Sequence, residues 1–328
     1  MHCLAHRGAQ RAGLMEAAIV SVVLPTFNRL GFLRPAIESV YAQTFVQWEL
    51  ILADDGSDFE TRQYLQSLEV DPRVKLVWLS HSGKPSVVRN AGVKAAAGEY
   101  VAFLDSDDLW APRKLERQIE TLRTRVNCRW SYTAFLQVDG SGVPLPEEAQ
   151  RPWVPHEGDI FEQVVTGRAQ IRTPSVLATR ELIAQAGGFD DALQSGEDYD
   201  LWLRFALHSE AAIVDETLLY VRRHPNSHTS DWQSAFVGRD SSLRRRQQLV
   251  AGARRALLRK ERVRNAAKLA ATHAELGAQG PMLRALWKSF AYSWSYPRWW
   301  LSGLKTVLLR PYLPRRLLEF RRKRRRGA

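Results

Sequence analysis

Three carboxylates stand within four residues, Asp105, Asp107 and Asp108, directly after the apolar run at 100–104. A run of that length suits a strand buried in a mixed or parallel sheet. The acids then lie at the strand's carboxyl end, where loops leaving an open α/β sheet form a ligand-binding crevice. Carboxylates this close repel one another, and a cation between them relieves the repulsion. An acidic turn capping the helix that Pro112 begins is the other reading of Asp-x-Asp. A second acidic set, Glu197, Asp198 and Asp200, opens a stretch in which Leu201, Trp202, Phe205 and Ala206 recur at helical spacing. Acids in a first turn complement the helix dipole, and a carboxylate there can also serve as a general base.

The elements that must position these groups alternate. A β-rich run at 19–24 stops at Pro25-Thr26-Phe27-Asn28-Arg29, since proline cannot donate to a central ladder. A helix is predicted over 31–43, with Phe32, Leu33, Ala36, Ile37 and Val40 on one face. The strand at 49–53 runs into Asp54-Asp55-Gly56-Ser57, and a helix at 60–68 leads to a strand at 74–79. Gly83-Lys84-Pro85-Ser86 opens a helix through Arg89 and Asn90 to Ala97, with Gly98 as its C-cap, before the strand at 100–104. Short loops between alternating strands and helices predict a doubly wound sheet. Three of the four strand ends carry polar or acidic turns, read as one crevice. Further on, strands are predicted at 128–138, 171–179 and near 218–221. The segment 143–158, with prolines at 144, 146, 152 and 155, is predicted irregular, and a short helix from Glu181 ends at Gly187-Gly188.

Six motifs in order, from Val-Ser-Val-Val-Leu-Pro-Thr-Phe-Asn-Arg through Ser39-Val40-Tyr41-Ala42-Gln43-Thr44, Asp54-Asp55-Gly56-Ser57, Arg89-Asn90-Ala91-Gly92 and Gly98-Glu99-Tyr100 to Asp105-Ser106-Asp107-Asp108, closely resemble the family 2 glycosyltransferases. These are inverting enzymes of the GT-A fold. The resemblance resumes at Gly187-Gly188-Phe189-Asp190 and Glu197-Asp198-Tyr199-Asp200-Leu201-Trp202. It implies an α/β GT-A domain, a doubly wound mixed sheet of the nucleotide-diphospho-sugar transferase type. It implies a sugar-nucleotide donor, UDP-linked, and a divalent cofactor, Mn²⁺ or Mg²⁺, that stabilises departure of the charged leaving group. Carried over by position, Asp107 is the principal metal ligand, Asp105 lies nearer the ribose or a metal-bound water, and Asp108 holds the loop. Pro25, Thr26, Phe27, Asn28, Arg29, Asp54, Asp55, Arg89 and Ser106 line the nucleotide side. Asp198 is the base that takes the acceptor proton, with Glu197 in reserve. His224, after a late strand, would reach the metal or diphosphate. Each has an ordinary structural reading as well: core for Phe27, turn former for Asp55, surface helix residue for Arg89, packing residue for His224.

Composition bounds the rest. The chain has 328 residues, 45% of them apolar, enough for a sizeable core. Its net charge of +12 is uneven: residues 235–328 hold 24 Lys/Arg against 4 Asp/Glu, and the first 234 hold 23 against 31. Two cysteines, Cys3 and Cys128, are too few for a disulfide framework and fit a reducing compartment. No apolar stretch is long enough to cross a bilayer, and the stretch to about Glu16 lacks the apolar run of a secretory signal. The chain divides into a loose N-terminal extension at 1–17, a catalytic domain at 18–232 and a basic helical C-terminal region at 233–328. Residues 241–276 read as two helices, Gly280-Pro281 punctuates, and a third helix follows from Met282. Aromatics at 296–300, leucines through 301–309 and the basic run at 321–326 suit an anionic bilayer interface. Packing on the catalytic domain is the competing reading of those helices. No aromatic stacking platform of the kind an RNA reader needs is evident. The expected protein is cytoplasmic and peripheral at the inner membrane face, acting on a glycan or lipid-linked acceptor. A non-catalytic sugar-nucleotide-binding scaffold and, more remotely, a nucleotidyltransferase are the alternatives.

Overall fold

The computed structural model of the protein describes residues 18–150, 152–224 and 232–293. The expected extension at 1–17, residues 225–231, the aromatic segment at 296–300, the leucines at 301–309 and the basic run at 321–326 lie outside the described residues.

The first half alternates as β1 (Val20–Thr26), α1 (Leu30–Tyr41), β2 (Trp48–Asp54), α2 (Phe59–Ser67), β3 (Val74–Trp78), α3 (Pro85–Ala95) and β4 (Tyr100–Phe103). The second continues with β5 (Leu109–Trp110), α4 (Lys114–Thr124), β6 (Cys128–Asp139), α5 (Phe161–Thr166), β7 (Leu177–Thr179), α6 (Arg180–Ala186), α7 (Glu197–His208) and β8 (Glu210–Arg223). Helices α8 (Trp232–Gln247), α9 (Gly252–Glu275) and α10 (Gln279–Ser293) follow. The strands form one eight-stranded mixed sheet in the order β3-β2-β1-β4-β7-β6-β8-β5. Strands β1 to β4 are parallel neighbours, β7 runs antiparallel to both β4 and β6, and β6 and β8 are parallel. Two reversals cancel, so β6 and β8 end on the same edge as β1, β2 and β4.

Strand residues alternate between two cores. Val23, Ile51, Val101 and Phe103 enter one, with Trp130, Trp202 and Phe205. Val22, Leu24, Leu50, Leu52 and Ala102 enter the other, with Leu33 and Ile37 of α1 and Leu115 and Ile119 of α4. Covering both faces in this way explains why β1 and β2 read as largely apolar runs, with the mutually hydrogen-bonded Ser21 and Glu49 as buried polar exceptions.

Several expected boundaries are corrected. β1 does not stop before Pro25; Pro25 and Thr26 continue the register opposite Ala53 and Asp54 of β2. Val23 C=O accepts from Leu104 N–H on the β4 side and Thr26 C=O accepts from Asp55 N–H on the β2 side. Pro25 therefore presents its missing N–H toward β4, which has already ended. Gly98 is not a left-handed C-cap. A Cβ there would lie 2.8 Å from Ser21 N and 2.9 Å from Ile19 O, so close backbone approach to β1 is what demands glycine. Of the strand expected at 171–179 only Leu177–Thr179 pairs, because Thr173–Ser175 form a 3-10 turn. The strand expected near 218–221 is the end of the 14-residue β8. Pro112 does not begin a helix; β5 intervenes and α4 starts at Lys114. Gly280-Pro281 lies inside the first turn of α10, where a proline lacks no hydrogen bond.

The first two C-terminal helices pack on the α/β body. Leu243 and Leu258 are fully buried in the core that contains Trp202. The Asp200 carboxylate, with no exposed surface, takes Arg204 from its own helix and Arg246 from α8, each at 2.8 Å. Arg245 reaches Asp190 at 2.8 Å and Arg254 reaches Asp159 at 2.9 Å. Part of the basic surplus thus pairs with acids of the body. Among the described residues no helix is long and apolar enough to cross a membrane.

Candidate active site

The loop leaving β4 carries Asp105, Ser106, Asp107 and Asp108, and the end of β8 delivers Arg222 and His224 to it. Asp107 Oδ2 accepts from Arg29 Nη1 at 3.1 Å and lies 3.1 Å from His224 Nε2. The His224 ring stacks on Phe32 of α1 with centroids 4.5 Å apart. Arg222 holds the loop from below: its N–H donates to Asp108 Oδ1 at 3.0 Å, its Nε to Asp107 C=O at 2.5 Å, and its Nη2 to Phe32 C=O at 2.8 Å. Burial, with Asp107 and Asp105 alongside, pushes the Asp108 carboxyl well up. Burial also pushes Asp105 up, with Asp107 and Glu197 adding to it against the pull of Arg89. The guanidiniums present therefore do not fully offset these acids. Ser106 is half-buried between them.

Arg89 joins this loop to α7. It is buried, and its two terminal nitrogens donate to Asp105 Oδ1 at 2.7 Å and to Glu197 Oε1 at 3.0 Å. Burial works against its charge, but Asp105, Glu197 and Asp198 together raise its pKa. Asn90, the next residue, pins the Gly187-Gly188-Phe189 turn by donating to Phe189 C=O at 2.8 Å and accepting from Phe189 N–H at 2.9 Å. Asp198 lies beyond Glu197 in the first turn of α7 with Oδ2 3.5 Å from Thr173 Oγ1. Its carboxyl is pushed up by burial and by Glu197, against the pull of Arg89 and Arg172.

On the other side, Phe27 is 41% exposed and stacks on His81 at 4.2 Å between centroids. Asp55 accepts from Ser82 N–H and Oγ at 2.8 Å and from Gly83 N–H at 2.9 Å. Asp54 is fully buried, accepting from Ser57 N–H at 3.1 Å and Arg62 Nε at 3.2 Å. Its carboxylate therefore serves the turn. Pro25 lies within β1, and Thr26 places a buried hydroxyl that has no hydrogen-bond partner among the described residues. Asn28 and Arg29 are consecutive left-handed residues, φ 55° and 60°.

The fold thus gathers Thr26, Phe27, Arg29, Asp55, Arg89, Asp105, Asp107, Glu197, Asp198 and His224 along one edge of the sheet. Sequence reasoning did not single out Phe32, His81, Ser82 or Thr173. Phe32 carries the same apolar signal as its core neighbours on α1, and a Ser-His-Ser loop carries none.

A family model described as glycosyl transferase family 2 matches residues 21–137. The putative teichuronic acid biosynthesis glycosyltransferase TuaG of Bacillus subtilis is 33% identical over 175 residues, covering 50% of this chain and 69% of that protein. The chain belongs to glycosyltransferase family 2. The UDP-Glc:alpha-D-GlcNAc-diphosphoundecaprenol beta-1,3-glucosyltransferase WfgD of Escherichia coli is 37% identical over 129 residues, 39% of this chain and 50% of that one. An uncharacterized glycosyltransferase of Rickettsia felis is 32% identical over 203 residues, 62% of this chain, but the chain spans only 33% of its length. Among solved structures, S. aureus TarS 1–349 in complex with UDP-GlcNAc superposes with a TM-score of 0.62 at 19% identity, covering 83% of this chain and 81% of that one. The mannosyltransferase PcManGT of Pyrobaculum calidifontis, in complex with GDP-Man and Mn²⁺, gives 0.54 at 16%, covering 90% and 88%. The fold of this family 2 glycosyltransferase is accordingly GT-A.

Proposed function

We propose that this chain is an inverting glycosyltransferase that moves a sugar from a UDP-sugar to a glycan or lipid-linked acceptor during surface polysaccharide synthesis. One observation carries the reading: Arg89 joins the Asp105–Asp107 loop to Glu197, so the donor side and the Glu197-Asp198 pair share one guanidinium. TuaG is named for teichuronic acid biosynthesis, WfgD for a GlcNAc-diphosphoundecaprenol acceptor, and TarS was solved with UDP-GlcNAc.

In this reading Phe27 and the Asp55 turn receive the nucleotide, and the Thr26 hydroxyl finds its partner there. Asp198, next to Glu197, takes the proton of the acceptor hydroxyl as it attacks the anomeric carbon in a single displacement. The raised pKa of Asp198 suits a base that must be regenerated. Glu197, held by Arg89, keeps the first turn of α7 in place.

A divalent cation fits the donor set. The Asp107 oxygen and the His224 nitrogen converge, and nearby carboxyls remain in mutual repulsion. Among the described residues no group of three or more His, Cys, Asp or Glu side chains forms a complete metal site. Asp107, with His224 or Asp105, would hold Mn²⁺ or Mg²⁺ while water and donor phosphates supply the remaining ligands. The bound ion would supply charge stabilisation for the departing nucleoside diphosphate. The proposal extends to a catalytic unit at 18–232 and to membrane contact, at the inner face of the cell membrane, through the basic C-terminal region. The lipid-linked acceptor in the name of WfgD supports that contact.

The test is a panel of sugar nucleotides with Mn²⁺ or Mg²⁺, measuring donor binding and transfer by the parent, Asp107→Ala and Asp198→Asn. Asp107→Ala should abolish metal-dependent donor binding, and Asp198→Asn should keep binding while losing about 10²–10⁴ in turnover. Normal turnover by Asp198→Asn removes it as the base; donor binding without turnover by the parent indicates a scaffold.

A further inference from the structure

Arg29 occupies an uncommon position. It and Asn28 stand one after the other in the left-handed region that side chains rarely adopt, φ 60° and 55°. The acidic turn after β2 enforces this posture: Ser57 Oγ accepts from Asn28 N–H at 2.8 Å, and Asn28 Oδ1 accepts from Asp58 N–H at 2.8 Å. Asp54 in turn anchors Ser57 N–H. The result of this chain of contacts is a guanidinium on Asp107 Oδ2, the same oxygen that His224 approaches. A divalent cation and a guanidinium cannot share that oxygen without facing each other's charge. Arg29 is also only partly buried, with 26% of its side chain exposed, so it can leave Asp107 without unpacking the core.

We propose that Arg29 is a positioning residue that supplies the counter-charge of Asp107 in the metal-free site and exchanges that carboxylate for the donor's phosphates when a divalent cation enters. The inference rests on the reading of Asp107 as a metal ligand. The guanidinium keeps the loop after β4 in place against its own carboxylate repulsion. Released, it stands beside an incoming diphosphate with five N–H donors suited to phosphate oxygens.

The experiment uses the full chain and Mn²⁺ alone, following the spectrum of the free ion by electron paramagnetic resonance, and then UDP titrated into the Mn²⁺-loaded protein. Arg29→Gly removes the guanidinium and suits the left-handed backbone, so it spares the fold; Arg29→Lys keeps the charge. Arg29→Gly should bind Mn²⁺ roughly fivefold more tightly, equivalent to about 1 kcal/mol at about 1.4 kcal/mol per tenfold. It should bind UDP at least about fivefold more weakly, with Arg29→Lys near the parent in both. If Asp107→Ala loses Mn²⁺ while Arg29→Gly matches the parent, the exchange is refuted and the metal reading stands. Unchanged UDP affinity in Arg29→Gly also refutes the exchange. If Asp107→Ala binds Mn²⁺ as the parent does, the metal reading itself fails and the exchange falls with it.

Discussion

Gly92 shows how sheet packing reaches the site. It lies on the face of α3 against β1, where an added Cβ would come within 2.5 Å of Val23 Cγ1 and 3.4 Å of Cγ2. Carbon atoms in contact settle at about 3.5–4.0 Å. Gly92→Ala must therefore lift α3 by roughly 1 Å or force the fully buried Val23 out of its rotamer. Overpacking of this kind costs about 1–3 kcal/mol, against up to about 1 kcal/mol regained from helix propensity. The 2.5 Å approach puts the cost in the upper part of that range, so a net loss of roughly 1–2 kcal/mol is expected, at about 2–4 °C of Tm per kcal/mol for a domain of this size. Arg89 and Asn90 sit one turn earlier on the same helix. Lifting α3 draws the guanidinium away from Asp105 and Glu197, and a misplacement near 1 Å can cost up to about 10²-fold in rate. Turnover should thus fall well below Tm, where nearly all the protein is folded. Urea unfolding and turnover are measured for the parent, Gly92→Ala, Val23→Ala and the double variant. Because Val23→Ala opens the space the new methyl needs, the double variant should beat additivity by at least about 1 kcal/mol. A Gly92→Ala protein as stable as the parent, or two strictly additive effects, would refute this account of the Arg89-Asn90-Ala91-Gly92 motif.

Asp200→Asn leaves Arg204 and Arg246 without their buried anion, and a loss of about 3–5 kcal/mol is expected in urea unfolding, with amide protection of α8 falling alongside that of α7. Lys114 is fully buried, with Nζ 2.5 Å from Gln118 Oε1 and 4.2 Å from the Trp110 ring centre, and burial holds its pKa well below the ordinary value. Below the ordinary lysine value of about 10.4 the unfolded chain holds a proton that the folded one lacks, so stability rises with pH by up to about 1.4 kcal/mol per unit down to the lowered pKa. Lys114→Met should remove that slope, seen as a stability gap between variant and parent that moves in the parent's favour from pH 7 to pH 9.5; parallel curves would contradict it. If Asp198 is the base, as proposed, it works only when ionised, and burial with Glu197 raises its pKa, so the acid limb of turnover should lie above the ordinary aspartate value, with activity rising toward higher pH. Glu197→Gln removes a repulsion that holds Asp198 up and should shift that limb to lower pH, measured as the midpoint of the pH–rate profile.

Much of the first half of the fold was legible because local chemistry states it. Apolar runs of strand length ending in Pro-Thr-Phe-Asn-Arg, Asp-Asp-Gly-Ser and Asp-Ser-Asp-Asp located β1, β2 and β4 to within two residues, and the crevice at their ends follows from sheet geometry. The misreadings share one cause. Pro25 reads as the end of β1 because a proline cannot donate in a ladder, yet whether a donor is wanted depends on where the neighbouring strand β4 stops. Gly98 looked like a helix cap because it follows a helix, yet its requirement comes from the backbone of β1 some 77 residues earlier, where its N–H also reaches Ser21 Oγ. β8 was seen only at its end, because Asp215 and Glu216 interrupt the apolar pattern that a strand beside β6 otherwise keeps.

By itself the sequence determined the residue types that gather at this site, the order of the βα units and the family to which the chain belongs, since these depend on periodicity, turn chemistry and motif spacing within short windows. Only the tertiary structure decided which charge meets which. Asp107 finds Arg29 from 78 residues before it and His224 from 117 residues after it, and Arg89 finds Glu197 across 108. Arg29 meets Asp107 because β1 and β4 pair in parallel, and His224 meets it because two antiparallel steps at β7 return β6 and β8 to that same direction; strand direction is set by long-range pairing rather than by any local pattern.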